Sequence, residues 1–116
     1  MNNRELGRKG EERAVVYLKK RGYYILAQNY HTRYGELDIV CRKGDKLIFV
    51  EVKTRRSTAY GWPEEAITKS KISHLKKAAA IYLDAFEPSF RELRFDVITI
   101  LWENDKEQIN HIKYAF

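Results

Sequence analysis

Asp38, Glu51 and Lys53 are the residues of this sequence whose types and spacing suit hydrolytic chemistry. Asp38 lies in the run Gly35-Glu36-Leu37-Asp38, and the other two lie in Phe49-Val50-Glu51-Val52-Lys53. Both runs alternate polar and apolar residues, the period of a strand with one wet face. Between them, Lys43-Gly44-Asp45-Lys46 offers Gly-Asp as the centre of a two-residue primed hairpin turn. That turn sets a register in which partner numbers add to 89. Asp38 then faces Glu51, and Glu36 faces Lys53. Side chains alternate along a strand, so these four share one face. Leu37, Ile39, Cys41, Ile48, Val50 and Val52 fall on the other, an apolar surface for core packing.

Carboxylates directly opposite each other on a hairpin have Cβ atoms about 4.5–5.5 Å apart, and their repulsion destabilises the pair. A shared proton relieves it, with one pKa raised. So does a divalent cation, and hard oxygen ligands suit Mg²⁺ or Mn²⁺. Metal, two carboxylates and a lysine fit phosphodiester hydrolysis. The cation polarises a phosphoryl oxygen and acidifies a bound water, while Lys53 orients that water or offsets charge growing on the phosphate. The bland alternative is a solvated polar face with a surface Glu51–Lys53 ion pair. Glu11 argues against that alternative. It sits in the middle of the stripe formed by Gly7, Ala14, Val15 and Leu18 on a first helix, so it faces the sheet. Buried there, it needs a proton, a cation or donors. Its own bland reading is that it reaches water over Gly7 or pairs with an Arg.

Residues 3–21 read as a helix, capped by Asn2 or Asn3 and ended by Lys19-Lys20-Arg21-Gly22. Gly7 and Gly10 within it each cost about 1 kcal/mol relative to Ala, which points to close backbone approach or a fraying first turn. Strands are expected at residues 23–30, 36–42 and 47–54. A loop over 55–65 contains Gly61-Trp62-Pro63. Thr68 caps a second helix with Ile72, Leu75, Ala79, Tyr82, Leu83 and Phe86 at helical spacing, and Pro88 stops it. Strands at 93–101 and 107–114 complete the order α-β-β-β-α-β-β. This is one α/β (α+β) domain over residues 1–116, with a mixed central sheet flanked by helices.

The 116 residues include 44% hydrophobic residues, enough for a core. Twenty-two Lys and Arg against 16 Asp and Glu give a net charge of +6. That balance favours a polyanionic partner such as nucleic acid, or an anionic membrane surface. Cys41 is the single cysteine, so no internal disulfide forms, which suits a reducing compartment. The polar N-terminus and the lack of a long apolar run give a cytoplasmic, non-membrane expectation. His31, His74 and His111 lack zinc spacing, and neither a hydrolytic triad nor a Gly-rich phosphate loop is present.

Taken together, Gly7-x-x-Gly10-Glu11-x-x-Ala14, Gly22, Asn29, Gly35-Glu36-x-Asp38, Phe49-Val50-Glu51-Val52-Lys53, Gly61, Lys71 and Arg94-Phe95-Asp96 resemble the YraN-type small bacterial proteins along nearly the whole chain. That group is placed in the PD-(D/E)xK nuclease superfamily, with restriction endonucleases and archaeal Holliday-junction resolvases. The resemblance implies a restriction-endonuclease-like fold and a catalytic set of Asp38, Glu51, Lys53 and Glu11. Glu36 is implied as a further metal ligand beside Asp38, Glu51 and Glu11, or as a group behind them. Leu37-Asp38 stands where the superfamily motif has Pro-Asp.

Arg55 and Arg56 follow Lys53 and are placed to hold phosphates flanking the scissile one. Lys69, Lys71, Lys76 and Lys77 on the second helix, and Arg8 and Lys9 on the first, offer sequence-independent phosphate contacts or a solvated face. Tyr60 and Trp62 would stack on unpaired bases or pack around Pro63. Asp96 reads as structural, pairing with Arg94 or a neighbouring strand. The leading expectation is a Mg²⁺- or Mn²⁺-dependent endonuclease acting on DNA, branched or damaged, with a homodimer compatible. The alternatives are a non-catalytic nucleic-acid-binding module and a partner subunit of a repair complex.

Overall fold

Gly44 and Asp45 close the central hairpin as expected, with Lys43 opposite Lys46. Gly44 takes a φ of 61°, and Asp45 stays out of the positive region. Glycine alone at the first central position is the pattern of a type II′ turn, whose twist matches that of the strands. A computed structural model describes residues 1–59 and 61–116, from which this geometry is read. Tyr60 lies outside the described residues.

The elements are α1 (Asn3–Lys20), β1 (Tyr24–Thr32), β2 (Gly35–Lys43), β3 (Lys46–Arg55), a short 3₁₀ turn (Pro63–Ala66), α2 (Lys69–Phe86), β4 (Glu92–Glu103) and β5 (Lys106–Ile112). The expected order α-β-β-β-α-β-β holds. Asn2 caps α1 by accepting a hydrogen bond from Glu5 N, and Thr68 caps α2 by accepting one from Lys71 N. The strands form one five-stranded sheet in the order β1-β2-β3-β4-β5. Only β3 and β4 run parallel. A parallel pair needs a long crossover, which α2 supplies.

The helices cover opposite faces. Ala14, Val15 and Leu18 of α1 pack on Ile39, Cys41, Ile48, Val50, Ile98 and Ile100. Ala78, Ala79 and Tyr82 of α2 pack on Leu37, Val40, Leu47 and Phe49. Gly10 explains how close α1 sits. A Cβ there would run into Thr54 Oγ1 on β3, so the helix touches the sheet backbone-first. Gly7 meets nothing within 4 Å and has no such reason.

A buried polar cluster ties β4 and β5 to the turn between α1 and β1. Arg94 donates to both oxygens of Asp96 (2.8 and 2.9 Å) and to Tyr23 Oη (2.9 Å). His111 Nε2 lies 2.7 Å from Asp96 Oδ2. The structural reading of Asp96 is therefore right, with both suggested partners present. No described helix is long and apolar enough to cross a membrane.

Candidate functional site

The hairpin register holds where the strands pair: Ile39↔Val50, Val40↔Phe49, Cys41↔Ile48 and Arg42↔Leu47 all obey it. The ladder then stops one pair short of Asp38 and Glu51. Instead of facing Glu51 across a regular pleat, Asp38 accepts a hydrogen bond from Val52 N through Oδ2 at 2.9 Å. Its carboxylate thus replaces a missing ladder bond and is fixed by β3's own backbone.

The expected apolar face is corrected at one residue. Leu37 packs with Val40 against α2, while Ile39 and Cys41 pack against α1. Residues of equal parity land on opposite faces, so the alternation slips by one at Asp38. The neighbouring strand slips with it: Ala27 and Tyr30 both reach the α2 side. Between them Asn29 adopts φ 52°, and the β1–β2 pairing passes from Gln28↔Ile39 to Tyr30↔Leu37. Asn tolerates the left-handed region better than most residues, which allows this paired irregularity. The slip re-aims Asp38 away from the regular pleat, as bulges near active sites do.

Four carboxylates converge here. One oxygen from each of Glu11, Glu36 and Asp38 lies within 4.8 Å of the others. Asn29, with its side-chain amide turned to donate, bridges Glu11 and Glu36. Glu36 also meets His31 Nδ1 at 3.2 Å. Glu51 lines the same cleft as Glu11 and Asp38. Burial above all, then the charges of Asp38 and Glu36, raise the Glu11 carboxyl to about 7. Burial and then its contact with Asp38 push Glu51 up to about 9, against the pull of Lys53 and Lys71. Both groups therefore resist ionising unless positive charge arrives.

The cleft, about 760 Å³, is walled by the start of α1 and the end of β3. Asn3, Leu6 and Gly7 form one side, and Lys53, Thr54, Arg55 and Arg56 the other. Arg56 donates to Asn3 Oδ1 at 3.0 Å, linking the two walls. Its lining combines the carboxylates of Glu11, Asp38 and Glu51 with Lys53, Arg55 and Arg56, a charge arrangement able to take a polyanion.

Lys71 also joins the site. It lines a smaller hollow on the α2 side with Glu51 and Lys53, and the nearby Lys53 charge lowers its pKa. Lys69 and Lys76 do not join. With Lys77 they border a separate surface hollow on the outer face of α2. Lys9 turns to the Trp102 ring, 5.0 Å from its centroid. Trp62 is 52% exposed.

The model of the "Uncharacterised protein family UPF0102" matches residues 10–100. The chain belongs to that family. A UPF0102 protein of Syntrophomonas wolfei is 60% identical over 114 residues, covering 98% of this chain and 99% of the relative. One from Caldicellulosiruptor saccharolyticus is 47% identical, with full coverage of both chains. A third, from Dictyoglomus thermophilum, is 46% identical over 87% of this chain and 86% of its own length. UPF0102 is the YraN-type family that the sequence resembles, and the matched residues include Glu11, Asp38, Glu51 and Lys53.

Asn29 and Thr54 are the site-building residues that a role-by-role reading of the sequence passes over. Asn29 carries a signal, because an Asn amid strand-forming residues invites a positive φ. Thr54 carries none, since its role depends on where α1 lands.

Proposed function

We propose that this protein is a divalent-metal-dependent endonuclease that hydrolyses phosphodiester bonds in DNA. One observation carries the reading: Glu11, Asp38, Glu51 and Lys53 line one cleft together with Arg55 and Arg56. Three closely spaced carboxylate oxygens, hard and part-buried, fit Mg²⁺ or Mn²⁺. Glu11, Glu36, Asp38 and Glu51 are the residues that would hold it. When bound, such a cation polarises a phosphoryl oxygen and acidifies a coordinated water.

The chain's own residues do the rest. Val52 N fixes Asp38, so the ligand set is anchored before substrate arrives. Asn29 aligns Glu11 and Glu36. Lys53, on the cleft wall beside Glu51, orients the attacking water or offsets charge building on the phosphate. Arg55 and Arg56 hold flanking phosphates without reading sequence. Lys71 adds a further positive charge on the α2 side.

The test is cleavage of plasmid, single-stranded and branched DNA with Mg²⁺ or Mn²⁺, by wild type and Asp38→Ala. Divalent-dependent cleavage that Asp38→Ala abolishes supports the reading. No cleavage above that variant on any substrate defeats it. Salt-sensitive DNA binding in that case leaves a non-catalytic nucleic-acid-binding module.

A further inference from the structure

The carboxylate site opens on two sides, and the two openings differ. On the α1 side lies the broad cleft with Arg55 and Arg56. On the α2 side lies the hollow of about 230 Å³ that shares Glu51 and Lys53 with it. A DNA strand with one phosphate at the carboxylates would direct one neighbouring nucleotide toward each opening. The smaller hollow falls below the roughly 300–1,000 Å³ of pockets for drug-sized ligands, too small for a base pair.

Its walls suit one unpaired nucleotide. Leu75 and Ala78 of α2 supply apolar surface, Lys53 and Lys71 supply positive charge, and Tyr34 supplies an aromatic ring. Tyr34 sits at the tip of the β1–β2 turn, which is firmly built. Thr32 Oγ1 donates to Gly35 O at 2.7 Å and accepts from Tyr34 N at 3.1 Å. Gly35 takes φ 131°, a conformation that L side chains rarely adopt. The ring carries Arg33 at 5.0 Å and Lys77 at 5.3 Å from its centroid. Such exposed cation–π contacts are weaker than base stacking, so a base displaces one cation and frees it for a phosphate.

We propose that this hollow is a subsite for one unpaired nucleotide next to the scissile bond, with the Tyr34 ring as its stacking surface. The substrate class is then DNA that is single-stranded on that side of the cut: a free strand, a flap or a frayed end. The proposal rests on reading the carboxylates as a nuclease site.

The experiment measures fluorescence anisotropy of a labelled oligothymidine and of a blunt duplex of equal length, with wild type, Tyr34→Ala and Tyr34→Phe. Wild type should prefer the oligothymidine. Tyr34→Ala should weaken that binding roughly 5- to 150-fold, the range for loss of one base–aromatic stack, and leave duplex binding unchanged. Tyr34→Phe should bind as wild type. Equal losses on both probes, or no loss, overturn the subsite. Should Tyr34→Ala fail to fold, Tyr34→Leu keeps the bulk without the π face and carries the same prediction. A cleavage arm separates the two readings. Divalent-dependent cleavage of single strands that is indifferent to Tyr34→Ala sinks the subsite and spares the nuclease. Tyr34-dependent binding without cleavage of any substrate sinks the nuclease and leaves the subsite.

Discussion

Removing divalent cations and raising the pH should destabilise this protein, and Glu51→Gln should abolish most of the effect. In the folded chain Glu51 titrates at about 9 and Glu11 at about 7, against an ordinary value of 4.5. A carboxyl raised on folding binds its proton more tightly in the folded state. Its stability contribution is full below 4.5 and is lost as pH rises through the folded value. Each pKa unit is about 1.4 kcal/mol, so Glu51 alone sets a ceiling of about 5 kcal/mol lost between pH 4.5 and about 8. Coupling to Asp38 and partial solvent access reduce that to roughly 2–3 kcal/mol. Glu11 is part-exposed, so screening holds its share to about 1 kcal/mol or less. Cys41, raised by burial to about 12, titrates above this window. Urea unfolding in EDTA at about pH 5 and pH 8 measures the difference. Wild type should lose a few kcal/mol across that interval. Glu51→Gln should stay nearly flat and exceed wild type at the higher pH. Mg²⁺ or Mn²⁺ at about 100 times its dissociation constant should restore about 2.7 kcal/mol to wild type and little to the variant. Equal pH dependence in the two proteins would refute the electrostatic account of this cluster.

Gly10→Ala drives a methyl into Thr54 Oγ1 and should cost about 1–3 kcal/mol, while Gly7→Ala, in open space, should stabilise α1 by up to about 1 kcal/mol; thermal melts compare them. Asp96→Ala strands the buried Arg94 guanidinium and should cost about 3–5 kcal/mol by chemical denaturation. Burial opposes the Asp96 charge, but hydrogen bonds from His111 and Arg94 outweigh it and hold the carboxyl below its ordinary 3.8. Its contribution is therefore present above that value and lost as pH falls, the reverse of Glu51. Lys71→Ala should flatten the salt dependence of DNA binding by about one phosphate contact, whereas Lys69→Ala, remote from the site, should leave cleavage unchanged.

Glu11 was legible because helical phase alone aims it at the sheet, and the hairpin register because Gly44-Asp45 fixes it. The slip at Asp38 was not, since alternation arguments assume an unbroken pleat. Asn29 held the clue, as the residue most at ease with a positive φ in that stretch. The division among the α2 lysines was also readable. Lys71, Leu75 and Ala78 follow i, i+4, i+7 and share the hollow beside Glu51, while Lys69, Ile72, Lys76 and Ala80 share another face. Tyr34 gave no sign of itself in the sequence, because its place beside α2 comes from the turn geometry that Gly35 permits and from the crossover that returns α2 across the sheet.

On the proposed function, the carboxylates around Asp38 hold a divalent cation on which hydrolysis depends. A Mn²⁺ titration of the metal-free protein, followed by loss of the free-ion electron paramagnetic resonance signal, tests it most directly. Wild type should bind Mn²⁺ stoichiometrically, more tightly as pH rises through about 7, where Glu11 ionises. Asp38→Asn, which keeps an acceptor for Val52 N but loses the charge, should abolish that binding. Binding that survives Asp38→Asn, or none in the wild type, would contradict the account.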